Sequence, residues 1–230
     1  MQEWSKIGVF GGTFDPVHIG HLIAAEAVLE AAALDTVLLI PSHAPPHRFT
    51  PNATPQQRLE MVSLAVRDHP QLHASDIEVA LPGISYTIDT LSRLQTLHPR
   101  AKISFIMGLD AFLDIYTWSS FEDLLRRWQV IVMTRPGWHP SQLWQIGEHF
   151  SAVIPDLSYP PNPFPPLPLE LPVAGASHAV KLVRIPRIDI SASDIRQRMR
   201  DGKSIRYRVP ATVREYILRE RVYATNVAGL

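Results

Sequence analysis

Two histidines three residues apart, His18 and His21, follow the glycine pair Gly11 and Gly12 in the stretch Ile7-Gly-Val-Phe-Gly-Gly-Thr-Phe-Asp-Pro-Val-His-Ile-Gly-His21. In the first turn of a helix that spacing puts both imidazoles on one face. Beside a glycine turn such a pair can donate to phosphoryl oxygens and stabilise charge that grows during group transfer. Taken fragment by fragment, the same residues also fit an ordinary α/β turn, a surface histidine pair, or half of a metal site with no cysteine to complete it. Other residues with chemistry lie further along. His47 and Arg48 end the loop Pro41-Ser-His-Ala-Pro-Pro-His-Arg48 and suit an anionic group, or are incidental charges on an exposed proline-rich loop. Gly108-Leu-Asp110 offers a carboxylate for ribose hydroxyls, or a turn with a helix cap. Trp118 sits among polar residues, where it either joins a core or stacks on a planar ring. Ser193 and Arg196 near a helix start form a second anion site, and Ser191 or Ser193 also serves as the helix cap.

These groups need a scaffold, and the apolar patterning supplies one. Ile7 to Phe10 reads as a buried strand, broken by Gly11 and Gly12, with helical spacing from near Ile19 and strong helix formers from Leu22 to Leu34. The first helical N–H groups lack intrahelical partners and are themselves candidate phosphate ligands. Thr36 to Ile40 is a second buried strand, closing a right-handed βαβ unit. Thr54-Pro-Gln-Gln starts a helix through Val66 whose core face is Leu59, Val62, Leu64 and Val66. Asp76 to Val79 alternates and predicts a short edge strand. Ser85, Thr87 and Asp89 fit caps of a helix reaching about Leu97. Strands are predicted over Lys102–Met107, Trp128–Met133 and Ala179–Ile185, and helices over Phe121–Arg127, around Gln142–Phe150, and over Ala211–Arg221. Pro155 to Pro172 holds eight prolines and predicts an extended surface loop, read as an insertion rather than a polyproline ligand.

Composition narrows the classes. The 230 residues suffice for one α/β domain of ordinary size, and 46% hydrophobic residues against 19% charged favour a packed core over disorder. Lys+Arg and Asp+Glu are both 22, so nothing global points to nucleic acid or an anionic membrane. The absence of cysteine excludes disulfides, thiolate metal ligands and cysteine nucleophiles. No stretch reads as a secretory signal or a bilayer span, and the expected location is the cytoplasm. The sequence leaves open whether copies of the chain form a homo-oligomer.

The full string Gly-Gly-Thr-Phe-Asp-Pro-x-His-x-Gly-His resembles the signature of the His-x-Gly-His nucleotidyltransferase superfamily, and its local wording resembles the bacterial nicotinate-nucleotide adenylyltransferases. Further segments carry the likeness in order: Pro-Pro-His-Arg48, Ser85-Tyr-Thr-Ile-Asp-Thr-Leu91, Gly108-Leu-Asp110, Trp118, Thr134-Arg-Pro-Gly137 and Ile190-Ser-Ala-Ser-Asp-Ile-Arg196. Only Trp138 to His178 falls outside it. Arg48 stands where Lys is usual, so a planar fork replaces a point donor, and Ala192 and Ser193 replace Ser and Thr with the hydroxyl kept at Ser193.

The resemblance implies a single Rossmann-like domain over 1–230, a doubly wound, mostly parallel sheet with a small C-terminal helical part over 188–230. It implies adenylyl transfer from ATP to nicotinate mononucleotide, giving deamido-NAD and pyrophosphate in NAD biosynthesis. Under it His18, His21 and Arg196 are catalytic. ATP is met by these with Gly11, Gly12, Thr13, Phe14, Gly108, Asp110, Ile190 and Ser193. Nicotinate mononucleotide is met by His47, Arg48, Thr87, Asp110, Trp118 and Arg135. Mg²⁺ is bound mainly through the ATP phosphates, with no metal held by the protein alone. Pantetheine-phosphate adenylyltransferases and cytidylyltransferases share the first motif but not the Ser-Tyr-Thr-Ile-Asp-Thr segment and Trp118. A class I aminoacyl-tRNA synthetase would need a longer chain. A non-catalytic nucleotide sensor would have no need of His18, His21 and Arg196 intact.

Overall fold

The computed structural model describes residues 4–43, 51–80, 83, 86–134, 141–144, 146–158 and 167–223. Its strands are β1 (Lys6–Gly12), β2 (Thr36–Pro41), β3 (Leu72–Ala74), β4 (Lys102–Gly108), β5 (Gln129–Thr134), β6 (Leu169–Pro172) and β7 (Ala179–Arg184). They form one sheet in the order β3-β2-β1-β4-β5-β7-β6. The pairs β1–β4, β2–β3, β4–β5 and β5–β7 are parallel, and β6 pairs antiparallel with β7. This is the mostly parallel α/β sheet that the sequence predicts. Every residue of β2 and the run Val130–Thr134 of β5 are buried, which is why these strands are continuous apolar runs rather than alternating ones. No helix among the described residues is long and apolar enough to cross a membrane.

The chain divides into two compact units, each built from separate stretches: residues 1–10, 27–36 and 86–187, and residues 11–26, 37–85 and 188–230. In the first, β1 pairs with β4 from Lys6↔Lys102 to Phe10↔Ile106. The Asp35 carboxylate closes its start by accepting from the Ser5 N–H (2.7 Å), the Ser5 hydroxyl (2.8 Å) and the Lys6 N–H (2.9 Å). Helices α3 (Thr87–Leu97), α4 (Leu109–Leu113), α5 (Phe121–Arg127), α6 (Ser141–Trp144) and α7 (Gly147–Phe150) bury Leu91, Leu94, Phe112, Leu124, Leu125 and Phe150.

Three expectations change in this unit. The cap of α3 is Tyr86 with no side-chain hydrogen bond, so Thr87 and Asp89 lie within the first turn, and Ser85 is outside the described residues. The helix is held by its buried Thr90, Leu91 and Leu94 instead. The single helix expected around Gln142–Phe150 is two short ones, with Gly147, a poor helix former, at the second start. Within the proline-rich stretch Pro155–Ser158 is a 3₁₀ turn and Leu169–Pro172 is strand β6. Strand β6 is at the sheet edge, where proline is tolerated.

In the second unit α2 (Pro55–Val66) carries a reciprocal capping box: the Thr54 hydroxyl accepts from Gln57 N–H (3.2 Å) and the Gln57 side chain from Thr54 N–H (2.9 Å). Its buried face is Arg58, Met61, Val62 and Val66, whereas Leu59 and Leu64, expected in the core, are half-buried. The edge strand lies earlier than predicted. Leu72 pairs with Val37 of β2, and Asp76–Ala80 is a turn closed by the Ala80 N–H on the Asp76 carbonyl (2.8 Å). Helices α8 (Ala192–Arg200) and α9 (Ala211–Arg219) form the C-terminal helical part, and Thr212 of α9 donates to the Leu64 carbonyl of α2 (3.2 Å).

Candidate active site

The second unit holds the glycine turn and both histidines. Helix α1 (Ile19–Ala31) begins one residue after His18. The rings of His18 and His21 stack with centroids 3.6 Å apart, and Phe14 meets His21 edge-on at 5.0 Å. Phe14 has a positive φ of 49°, which turns its ring back over the glycines. A Cβ on Gly12 would lie 3.0 Å from that ring, and one on Gly20 would lie 3.1 Å from the His18 ring. The small residues of the motif therefore leave room for Phe14 and His18. The His18 N–H donates to His21 Nδ1 at 3.2 Å. In the neutral ring this places the His21 proton on Nε2 as a donor. The expected use of the first helical N–H groups changes in part. That of Ile19 donates to the Arg208 carbonyl (2.9 Å), so this amide is already satisfied within the protein.

Behind this motif lies a buried charged cluster. Asp15 is 2% exposed. Its Oδ2 accepts from the Asn52 N–H (2.8 Å), and its Oδ1 from the Ala53 N–H (3.1 Å) and the Tyr223 hydroxyl (2.8 Å). Arg196, buried on α8, donates through Nη1 to the Asp15 carbonyl oxygen and stands 3.7 Å from Oδ2. Arg58 is fully buried and spreads its fork over three carbonyls, Thr13 (2.8 Å), His43 (3.1 Å) and Ala53 (3.3 Å). Burial pushes the Arg58 pKa below its ordinary value, opposed by the nearby Asp15 carboxylate. Burial and then Asp15 push the Tyr223 phenol well above its ordinary value, which keeps it a hydrogen-bond donor.

At the start of α8 the Ser191 hydroxyl is the cap, accepting from the Asp194 N–H at 3.1 Å. Ser193 is exposed and 3.0 Å from Ser191. Ile190 is half-buried just before the cap. Thr13 and Gly12 are half-buried and Gly11 is exposed along the turn. The unit thus brings His18, His21, Phe14 and Thr13 together with Arg196 through Asp15 and Arg58.

The first unit holds the remaining described candidates. Gly108 ends β4 and serves as the cap position of α4 with no loop between, and Asp110 is exposed in the first turn. Apart from Gly108 itself and its chain neighbours, no described heavy atom lies within 4 Å of where a Gly108 Cβ would be. Thr87 opens α3 and is half-buried. Trp118 is half-buried, its backbone N–H bonded to the Ile115 carbonyl (2.8 Å) and its ring tilted against Phe105 at 6.1 Å. His47, Arg48 and Arg135 lie outside the described residues.

Sequence reasoning does not single out Asp15 beyond its place in the motif, nor Arg58 or Tyr223. Arg58 carries a readable signal. It shares the helical face of Met61, Val62 and Val66, and an arginine on an apolar stripe needs a carboxylate or several carbonyls in the fold. Tyr223 carries no signal, because its partner is 208 residues away.

The family model of cytidylyltransferase-like proteins matches residues 9–198. A protein of Desulfitobacterium hafniense (strain Y51), named "Probable nicotinate-nucleotide adenylyltransferase", is 37% identical over 220 residues, 95% of each chain. One of the same name from Desulfatibacillum aliphaticivorans is 38% identical over 221 residues, covering 95% of this chain and 99% of the relative. The fold is similar to that of the Plasmodium falciparum nicotinic acid mononucleotide adenylyltransferase solved with NaAD. The TM-score is 0.69 at 18% identity, over 95% of this chain and 97% of that one.

Proposed function

Because the chain belongs to the cytidylyltransferase-like family and, within it, to the nicotinate-nucleotide adenylyltransferases, we propose that the stacked His18–His21 pair and Arg196 form the phosphate-binding centre of an adenylyl transfer. The reaction joins ATP and nicotinate mononucleotide into deamido-NAD and releases pyrophosphate. The observation that carries the assignment of residues is the shared anchoring of the glycine turn and Arg196. Arg196 and Arg58 grip the carbonyls of Asp15 and Thr13, directly beside the histidine motif.

An oxygen of the mononucleotide 5′-phosphate attacks the α-phosphorus of ATP, and the bond from that phosphorus to the bridging oxygen of the β-phosphate breaks. The nucleophile is already anionic and pyrophosphate leaves as an anion, so no protein nucleophile or strong base is required. Catalysis is then positioning and stabilisation of charge on the phosphoryl oxygens. His21 donates from Nε2, and His18 and Arg196 add donors and positive charge. Ser193 supplies a hydroxyl at the start of α8, Ile190 leads into it, and Gly11, Gly12, Thr13 and Phe14 bring backbone close to ATP. Gly108 and Asp110 take a ribose, and Thr87, Trp118, His47, Arg48 and Arg135 hold the mononucleotide. The imidazoles and guanidinium suit an anion rather than a bare cation, so Mg²⁺ would be bound mainly through ATP rather than by these residues and would supply charge neutralisation. The reading takes no nucleic acid and no membrane as partner and places the enzyme in the cytoplasm.

The test is pyrophosphate release from ATP and Mg²⁺ with nicotinate mononucleotide, nicotinamide mononucleotide or phosphopantetheine as acceptor. Strong preference for nicotinate mononucleotide is expected. Turnover with phosphopantetheine alone, or ATP binding with no release, would overturn the reading.

A further inference from the structure

A tight turn brings an arginine to the start of α8. Ile205 and Val209, on either side of it, are buried. Within it the Arg208 N–H donates to the Ile205 carbonyl (3.1 Å), and Tyr207 closes the turn with a positive φ of 66°. The Arg208 carbonyl accepts from the N–H of Ile19 (2.9 Å), the residue after His18. Both backbone polar groups of Arg208 are thus engaged, one of them at the histidine motif. From that fixed point the side chain reaches α8, where its Nε donates to Asp194 Oδ2 at 3.4 Å.

Asp194 lies in the first turn of α8, one residue after Ser193 and two before Arg196. A carboxylate there favours the free helix, because it complements the partial positive charge of the N-terminus. The same carboxylate opposes an anion bound at that end, since like charges at short range repel. Asp194 is exposed and Arg208 half-buried, so water screens the pair and it adds little to stability. Its consequence is local: it offsets an acidic charge beside Ser193 and Arg196.

We infer that Arg208 is a positioning residue for ATP that acts through Asp194, its guanidinium neutralising that carboxylate so that the start of α8 accepts a triphosphate at Ser193 and Arg196. In this role Arg208 needs no contact with a reacting atom. The inference rests on the adenylyl-transfer reading for the placement of ATP.

The test is Arg208→Gln, which removes the charge and leaves the backbone bond to Ile19 in place. The KM for ATP is expected to rise about fivefold, the scale of one charge at a helix terminus. Little change is expected in kcat or in the KM for nicotinate mononucleotide. Adding Asp194→Asn to Arg208→Gln should restore the ATP constant, and Arg208→Lys should keep it near that of the wild type. Near 1 M salt, where the Debye length is about 3 Å, the difference between Arg208→Gln and wild type should vanish. Lys203→Gln removes an equal charge beyond the other end of α8, where Lys203 pairs with Asp201 (3.1 Å), and should leave the ATP constant unchanged.

An ATP constant unmoved by Arg208→Gln overturns the inference, whatever the Tm does. So does a rise that Asp194→Asn does not reverse, or an equal rise with Lys203→Gln. Should Arg208→Gln fail to fold, Asp194→Asn alone is read. An ATP constant at or below that of the wild type is expected, and a raised one overturns the inference. A wild-type protein that binds ATP but releases no pyrophosphate would defeat the adenylyl-transfer reading, while the Kd for ATP across the same variants would still decide this one. Absence of ATP binding overturns both.

Discussion

The backbone N–H of His18 donates to Nδ1 of His21 while the two imidazole rings stack, centroids 3.6 Å apart. One residue thus orients the other, and a neutral His21 ring in this contact carries its proton on Nε2. Gly20 makes this possible, since a Cβ there would press on the His18 ring at 3.1 Å. The four residues of His-Ile-Gly-His are packed as one unit.

Loss of one such donor is expected to be expensive in rate and cheap in stability. His18→Ala should lower kcat by about a hundredfold or more, with the thermal transition near that of the wild type. Steady-state pyrophosphate release checks it, and near-normal turnover would remove His18 from the chemistry.

Trp118 is half-buried and meets Phe105 only at 6.1 Å, a geometry that leaves ring surface for a planar ligand. Trp118→Ala is expected to raise the KM for nicotinate mononucleotide more than that for ATP. Equal effects on both would mark Trp118 as part of the core.

Arg58 is fully buried with three carbonyl acceptors and Asp15 nearby. Arg58→Met strips these of their donor and leaves the carboxylate short of positive charge. The expected loss of stability is on the order of 3–5 kcal/mol, read as a fall in the urea midpoint. Arg219→Met, at an exposed arginine paired with Glu220, should leave the urea midpoint essentially unchanged, because solvent screens an exposed pair.

Asp35 holds the entry to β1. Donation from the Ser5 hydroxyl, then from the Lys6 and Ser5 N–H groups, keeps its carboxyl below the ordinary value of 3.8. A lowered folded-state value means stability that is fully present above 3.8 and is lost as pH falls through the lowered value. Asp35→Asn should therefore be less stable than wild type at neutral pH, and the difference should shrink toward zero in acid. Denaturation midpoints across pH test this, and a difference constant with pH would detach Asp35 from the acid limb.

Much of the scaffold is legible locally. Strands such as Thr36–Pro41 are apolar because both faces are covered, and α2 announces itself through Thr54, Pro55 and Gln57. Weak local signals mislead. Asp76–Val79 alternates like a strand, yet Leu72 takes the place beside β2 because pairing is decided by what the partner strand presents. Leu59 and Leu64 look like core from composition, but α2 buries Arg58, Met61, Val62 and Val66, and α9 meets it through Thr212 on the Leu64 carbonyl.

By itself the sequence determined the mostly parallel α/β class, the glycine–histidine motif and the family. Those depend on residues near one another along the chain, whose geometry is set by the turn and the first helical turn. Tertiary structure alone decided that the Ile19 N–H is used by Arg208 and that Asp15 binds Arg196 and Tyr223. A buried carboxylate must find donors wherever folding brings them, and Tyr223 lies 208 residues from Asp15. No spacing along the chain can carry that pairing. Desolvation of the charges enforces it once the segments meet.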